Sequence, residues 1–201
     1  AASDVYKRQI DSIYFIDDFK DILSSIASQV DTFYINKNEH YRANSPVETR
    51  EDRFISWLLK KYPAHNVAKS NPILQRQRSI KHPDEIDQIK KACDITRKGF
   101  NRVLEFIKPN VWEYEIEAEF IHEFINSSSK GFAYSPIIAS GNDNNVLHYV
   151  KNNKQCKSGE LILMDVGAEY GNYSSDMTRT VPVSGKFSKR QKEIYNLSLI
   201  H

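Results

Sequence analysis

The strongest constraint on the fold lies between Leu161 and Val183, where two strand-like runs, Leu161 to Glu169 and Asn172 to Val183, flank Tyr170-Gly171. A hairpin turned on that dipeptide sets Asp165 opposite Asp176. Their Cβ atoms would then lie roughly 4.5–5.5 Å apart, close enough for like charges to repel. Side chains alternate along a strand, so Asp165 shares a face with Gly167 and Glu169, while Ser174, Asp176, Thr178 and Thr180 share the opposing one. The reverse face of the first strand is Ile162, Met164, Val166 and Ala168, wholly apolar. The pattern therefore predicts one buried side, one polar side, and a positive group between the carboxylates. Hard carboxylate oxygens suit Mn²⁺, Mg²⁺ or a pair of borderline cations, which two-metal hydrolases hold roughly 3.5–4 Å apart. Spacing alone is equally compatible with two polar residues on a solvated hairpin face.

The rest of the chain predicts an α/β (α+β) protein in two parts. A helical pattern spans Asp17 to Val30, a strand is expected at Thr32-Phe33-Tyr34-Ile35, and a further helix near Glu48 to Lys60. Pro83 suits a first helical position, where its missing N–H would have no partner. The helix it opens carries Ile86, Ile89, Ala92, Cys93, Ile95, Phe100, Val103 and Ile107 at helical spacing and stops at Pro109. Another is expected from Glu113 to Ser127, ended by Ser127-Ser128-Ser129-Lys130-Gly131. Ser188 stands three residues before Gln191, a capping-box spacing that opens a last helix. Its apolar positions Ile194, Leu197 and Ile200 continue to the terminus, the pattern of a chain cut from a longer one. We expect residues 1–9 to be a non-native tail, residues 10–78 the end of an N-terminal domain, and residues 79–201 the beginning of a second domain.

Composition excludes several functions. Twenty-eight basic and 26 acidic residues are mixed along the chain for a net charge of +2, with no basic block, which argues against a nucleic-acid partner. No apolar run approaches the roughly 20 residues that span a bilayer, so no membrane association is expected. Cys93 and Cys156 form neither a metal knuckle nor a disulfide framework, and a reducing cytoplasm is the expected compartment. His122-Glu123-Phe124-Ile125-Asn126 begins like a zinc-peptidase helix, yet Asn126 occupies the second ligand position. Serine-hydrolase, nucleotide-binding and dinucleotide-binding glycine motifs do not occur.

Met164-Asp165-Val166-Gly167-Ala168-Glu169-Tyr170, Ser174-Ser175-Asp176-Met177-Thr178-Arg179-Thr180 and Pro182-Val183-Ser184-Gly185-Lys186-Phe187 together resemble aminopeptidase P. The resemblance runs back through Tyr134-Ser135-Pro136 and Val146-Leu147-His148-Tyr149 to the Ile80-Lys81-His82-Pro83 helix start. It identifies the second part as the first portion of a pita-bread metallopeptidase domain, preceded by a smaller α/β domain, and the Pro-Val-x-Gly-Lys-Phe ending favours aminopeptidase P over prolidase. The implied activity is hydrolysis of the bond between an N-terminal residue and a following proline, with two divalent ions, Mn²⁺ foremost, and a hydroxide between them. By the same resemblance Asp165 and Asp176 are metal ligands, Asp176 bridging both ions. His148 stands beside the substrate as the catalytic and substrate-binding histidine, and Tyr134 lines the substrate pocket.

Considered without the resemblance, His148 is more simply a satisfied histidine at a strand end, and Tyr134 a core aromatic. One histidine and two glutamates that complete the family's ligand set match nothing in this sequence, and His201 does not fit the histidine motif. The chain alone is therefore expected to be inactive. The implied partner is a peptide with proline second, and the implied full-length assembly a homo-oligomer. The alternatives are a prolidase cleaving Xaa-Pro dipeptides and a non-catalytic peptidase-like binding module. Retention of both aspartates favours the enzyme.

Overall fold

A computed structural model describes residues 12–37 and 47–200, with only the backbone at residue 200. The expected tail at residues 1–9 and His201 lie outside the described residues. The chain divides into two compact units, Ala1–Ile80 and Lys81–His201.

In the first unit a 3₁₀ turn leads into α1 (Phe19–Ala27), followed by β1 (Thr32–Ile35), α2 (Arg50–Lys61), β2 (Asn66–Lys69) and α3 (Asn71–Ser79). β1 occupies the expected residues and pairs in parallel with β2, Thr32 aligned on Asn66. α2 starts on a capping box: Asp52 N donates to Thr49 Oγ1 at 3.2 Å, and Thr49 N donates to Asp52 Oδ2 at 3.1 Å. Lys37 lies 2.9 Å from the same carboxylate, and this contact, followed by the Thr49 donors, lowers the Asp52 pKa to about 2. β2 and α3 were not expected. Four residues give too little alternation to announce a strand, and α3 buries no residue, so it carries no apolar stripe for a sequence pattern to show.

The second unit begins with α4 (Pro83–Phe106), Pro83 at its first turn as expected. The chain reverses at Pro109 into α5 (Glu113–Asn126). Gly99 on α4 allows the two helices to approach: a Cβ there would lie 2.7 Å from Phe124 Cε1 and 3.0 Å from Phe120 Cδ1. Phe100, Phe120 and Phe124 fill the space around it, Phe100 edge-on to Phe120 with ring centroids 5.1 Å apart.

The region expected to hold short strands and a hairpin contains six strands: β3 (Gly131–Phe132), β4 (Ile137–Ser140), β5 (Leu161–Val166), β6 (Ala168–Tyr170), β7 (Tyr173–Ser174) and β8 (Met177–Pro182). They form two antiparallel three-stranded sheets, in the orders β3-β6-β7 and β4-β5-β8. Ile162, Met164, Val166 and Ala168 are fully buried, so the apolar face lies where the alternation put it. Ile162, Met164 and Val166 each contribute roughly 1.5–3 kcal/mol on burial and Ala168 less, and a one-residue slip would turn the whole set outward. α4 meets the hairpin repeatedly: Tyr173 Oη donates to Glu85 Oε1 at 2.6 Å, Lys91 Nζ lies 5.4 Å from the Tyr170 ring centroid, and Gln88 flanks Gly171.

The hairpin register differs from expectation by two residues. Tyr170 pairs with Tyr173, so Gly171 and Asn172, at φ 59° and 67°, form the turn in place of Tyr170-Gly171. Two consecutive left-handed positions favour glycine and asparagine, which explains the choice. Asp165 consequently faces Thr178, and Asp176 lies two positions further toward the turn. An offset of two preserves parity, so the aspartates still share a face.

The last helix, α6 (Lys189–Ile200), opens on the expected capping box: Gln191 N donates to Ser188 Oγ at 3.3 Å and Ser188 N to Gln191 Oε1 at 2.8 Å. No helix among the described residues is long and apolar enough to cross a membrane.

Candidate metal centre

Three of the four expected site residues converge. Asp165 stands on β5, Asp176 on the two-residue break between β7 and β8, and Tyr134 on the link between β3 and β4. Tyr134 Oη lies 2.7 Å from Asp165 Oδ1 and 3.0 Å from Asp176 Oδ1, its proton shared between them. Ala133 N, one residue before, donates to Gly167 O at 2.8 Å and fixes the tyrosine against the hairpin. Burial, then the two carboxylates, drive the Tyr134 pKa well above that of an ordinary phenol, so it remains a hydrogen-bond donor.

Neither aspartate forms an ion pair among the described residues, although two carboxylate oxygens meet at one hydroxyl. A divalent cation suits such a site: both donors are hard oxygens, already gathered to one point, and positive charge would relieve their repulsion. The site supplies only these two ligands, for no cluster of three His, Cys, Asp or Glu able to hold a metal occurs among the described residues.

His148 is not joined to this group by a hydrogen bond. It lies on the segment that follows the 3₁₀ turn Gly141–Asn145, exposed, with φ 54°. Both ends of that segment are tied to one buried side chain that sequence reasoning missed. Glu113 Oε1 accepts from Ser140 N and Ser140 Oγ, each at 2.8 Å, and Oε2 accepts from Tyr149 Oη at 2.8 Å and Lys154 N at 3.0 Å. Burial, then Glu113, push the Tyr149 pKa up to about 12. An acid at the first turn of a helix is ordinarily a solvated dipole partner, and nothing in the sequence marks Glu113 as buried.

A second buried group also escaped notice, though a signal existed. Thr96 lies on the apolar stripe of α4, and Ser175 falls by alternation on the apolar side of the hairpin. A hydroxyl at such a position requires a partner. Here the two hydroxyls lie 2.6 Å apart, and Ala168 N donates to Thr96 Oγ1 at 2.9 Å and to Ser175 Oγ at 3.0 Å.

Residues 87–201 match metallopeptidase family M24, and the chain belongs to that family. The fold is the first part of its pita-bread domain, as expected. The resemblance to aminopeptidase P is borne out by the relatives. The chain is 33% identical over 193 residues to a Xaa-Pro aminopeptidase of Haemophilus influenzae, covering 94% of this chain and 42% of the relative. Escherichia coli aminopeptidase P, solved as a Glu-to-Ala variant in complex with substrate, superposes with a TM-score of 0.74 at 31% identity, over 88% of this chain and 42% of that one. A zinc-substituted form of the same enzyme in complex with product matches equally well. The chain thus spans about two-fifths of the length of these relatives.

Proposed function

We propose that the protein containing this chain is a Xaa-Pro aminopeptidase, which hydrolyses the bond between an N-terminal residue and a following proline with the help of two divalent ions, Mn²⁺ foremost. The observation that carries this reading is the meeting of Asp165 and Asp176 at one hydroxyl, within a chain of family M24. When bound, the ions lower the pKa of water for attack on the peptide carbonyl and stabilise the oxyanion that develops. Asp165 and Asp176 would hold them; Tyr134 lines the pocket and donates to both carboxylates. His148 projects an imidazole that can hydrogen-bond the peptide beside the scissile bond.

In this reading residues 10–78 are the end of the N-terminal domain and residues 79–201 the first part of the catalytic domain, the remaining ligands coming from outside this sequence. The thiols of Cys93, exposed, and Cys156, buried, are both free, in keeping with a cytoplasmic enzyme. Elemental analysis of Asp165→Asn and Asp176→Asn in the full-length protein tests the assignment. Each variant should lose at least one ion and most peptidase activity. Two retained ions with normal turnover would refute the metal centre.

A further inference from the structure

We propose that Thr96 is a positioning residue for Asp176, acting through Ser175 from the opposite, buried side of the hairpin. The proposal rests on the metal-centre reading above and goes beyond it by assigning a role to a helix residue that reaches neither metal nor substrate.

Ser175 N donates to Ala168 O at 3.0 Å, so these residues face each other across the hairpin. An antiparallel pair of this kind normally exchanges two bonds. The return bond is not made, because Ala168 N is taken by the Thr96 and Ser175 hydroxyls. Ser175 O is instead turned onto Gly167, so closely that a Cβ on that glycine would lie 1.9 Å from it. That carbonyl belongs to the peptide leading into Asp176. Its rotation sets the direction from which the aspartate leaves the backbone, and it coincides with the interruption of both sheets between β5 and β6 and between β7 and β8.

A buried N–H left unpaired costs about 1–3 kcal/mol, enough to draw the carbonyl back into an ordinary ladder. The two hydroxyls remove that pull together: both accept from Ala168 N, and Thr96 holds the Ser175 hydroxyl, which also bonds Ala168 O at 3.0 Å. Thr96 has no exposed surface, and Ser175 is 4% exposed, so water cannot substitute for either hydroxyl. Without the Thr96 hydroxyl, Ala168 N would lose one of its two acceptors and the Ser175 hydroxyl its anchor, so the Ser175 peptide would be held out of the ladder less firmly and the aim of Asp176 at the position it shares with Asp165 would loosen.

The test is Mn²⁺ affinity, read by electron paramagnetic resonance of free Mn²⁺ in titrations of the full-length protein. Thr96→Val keeps the shape and deletes the hydroxyl; it should bind Mn²⁺ roughly 10- to 100-fold more weakly, the loss typical of removing an outer partner of a metal ligand. Thr96→Ser should return affinity to within about threefold of the parent. Parent-like affinity in Thr96→Val, or failure of Thr96→Ser to restore it, would overturn the proposal. Should Thr96→Val not fold, Ser175→Ala decides in its place: weakened Mn²⁺ binding supports the relay, and unchanged binding refutes it. Asp176→Asn, titrated alongside, separates the two levels. If it binds Mn²⁺ normally, the metal-centre reading itself fails and this proposal with it; if it loses Mn²⁺ while Thr96→Val does not, only the Thr96 assignment fails.

Discussion

Replacing Glu113 by alanine should cost the protein about 2–6 kcal/mol, roughly 1–3 for each of the two backbone donors it would leave unpaired, a large share of the roughly 5–15 kcal/mol by which a domain is ordinarily stable. The carboxylate is fully buried and accepts from four donors. Two of them, Ser140 N and Lys154 N, are backbone groups that cannot turn away, and each would lose about 1–3 kcal/mol if left without an acceptor. The two hydroxyls are less demanding, since Ser140 Oγ can rotate and Tyr149 Oη already lies 3.5 Å from Asn153 Oδ1. Glu113→Gln keeps one acceptor oxygen but presents an amide N–H₂ to the other pair of donors, and should fall between parent and alanine. Tyr149→Phe removes one neutral partner and should cost about 1 kcal/mol. Urea unfolding with linear extrapolation measures all three, provided the slopes agree. A Glu113→Ala variant within 1 kcal/mol of the parent, or a glutamine variant less stable than the alanine one, would refute the account of Glu113 as the acceptor that closes the 141–148 segment.

Three further outcomes are expected. His148→Ala in the full-length protein should lower turnover while both ions remain by elemental analysis, because the residue is assigned to the peptide; loss of metal, or unchanged turnover, would contradict that role. The 201-residue chain by itself, given Mn²⁺ and a peptide with proline second, should show no cleavage above background, since two carboxylates neither fix two ions nor aim a water. Asp52 has its folded pKa lowered to about 2 from 3.8, so its contribution to stability is present above pH 3.8 and disappears as the pH falls through about 2. Carboxyl NMR should place its midpoint near that value, and Lys37→Met should raise it.

Much of this architecture was legible because burial imposes a period. The alternation of Ile162, Met164, Val166 and Ala168 fixed which face of β5 is buried, and the proline at 83 fixed where α4 begins. Register was harder, because a shift of two leaves every side chain on the same face and so leaves the hydrophobic pattern unchanged. Only the backbone preference of Gly171 and Asn172 for left-handed φ distinguished the two choices. Of the site residues, the aspartates carried their chemistry openly. Glu113 did not, because a helix-start acid is usually solvated, and its burial depends on Ser140, Tyr149 and Lys154, remote in sequence. Thr96 and Ser175 were readable as hydroxyls at apolar positions, but the identity of their partner was fixed only when α4 and the hairpin came together.

The repeated contacts between α4 and the hairpin have a mechanical consequence. Glu85, Gln88, Lys91 and Thr96 meet Tyr173, Gly171, Tyr170 and Ala168 in turn, so a stretch of helix roughly 16 Å long lies fastened along the hairpin of β6 and β7, whose third strand, β3, is two residues long. Strands this short twist and flex easily by themselves, whereas a helix kinks sharply only where its own hydrogen bonds are interrupted. The helix therefore acts as a splint. Spreading Asp176 away from Asp165 by bending the hairpin would require detaching it from several successive points on α4, so the spacing of the carboxylates inherits the stiffness of a helix that contributes no ligand of its own.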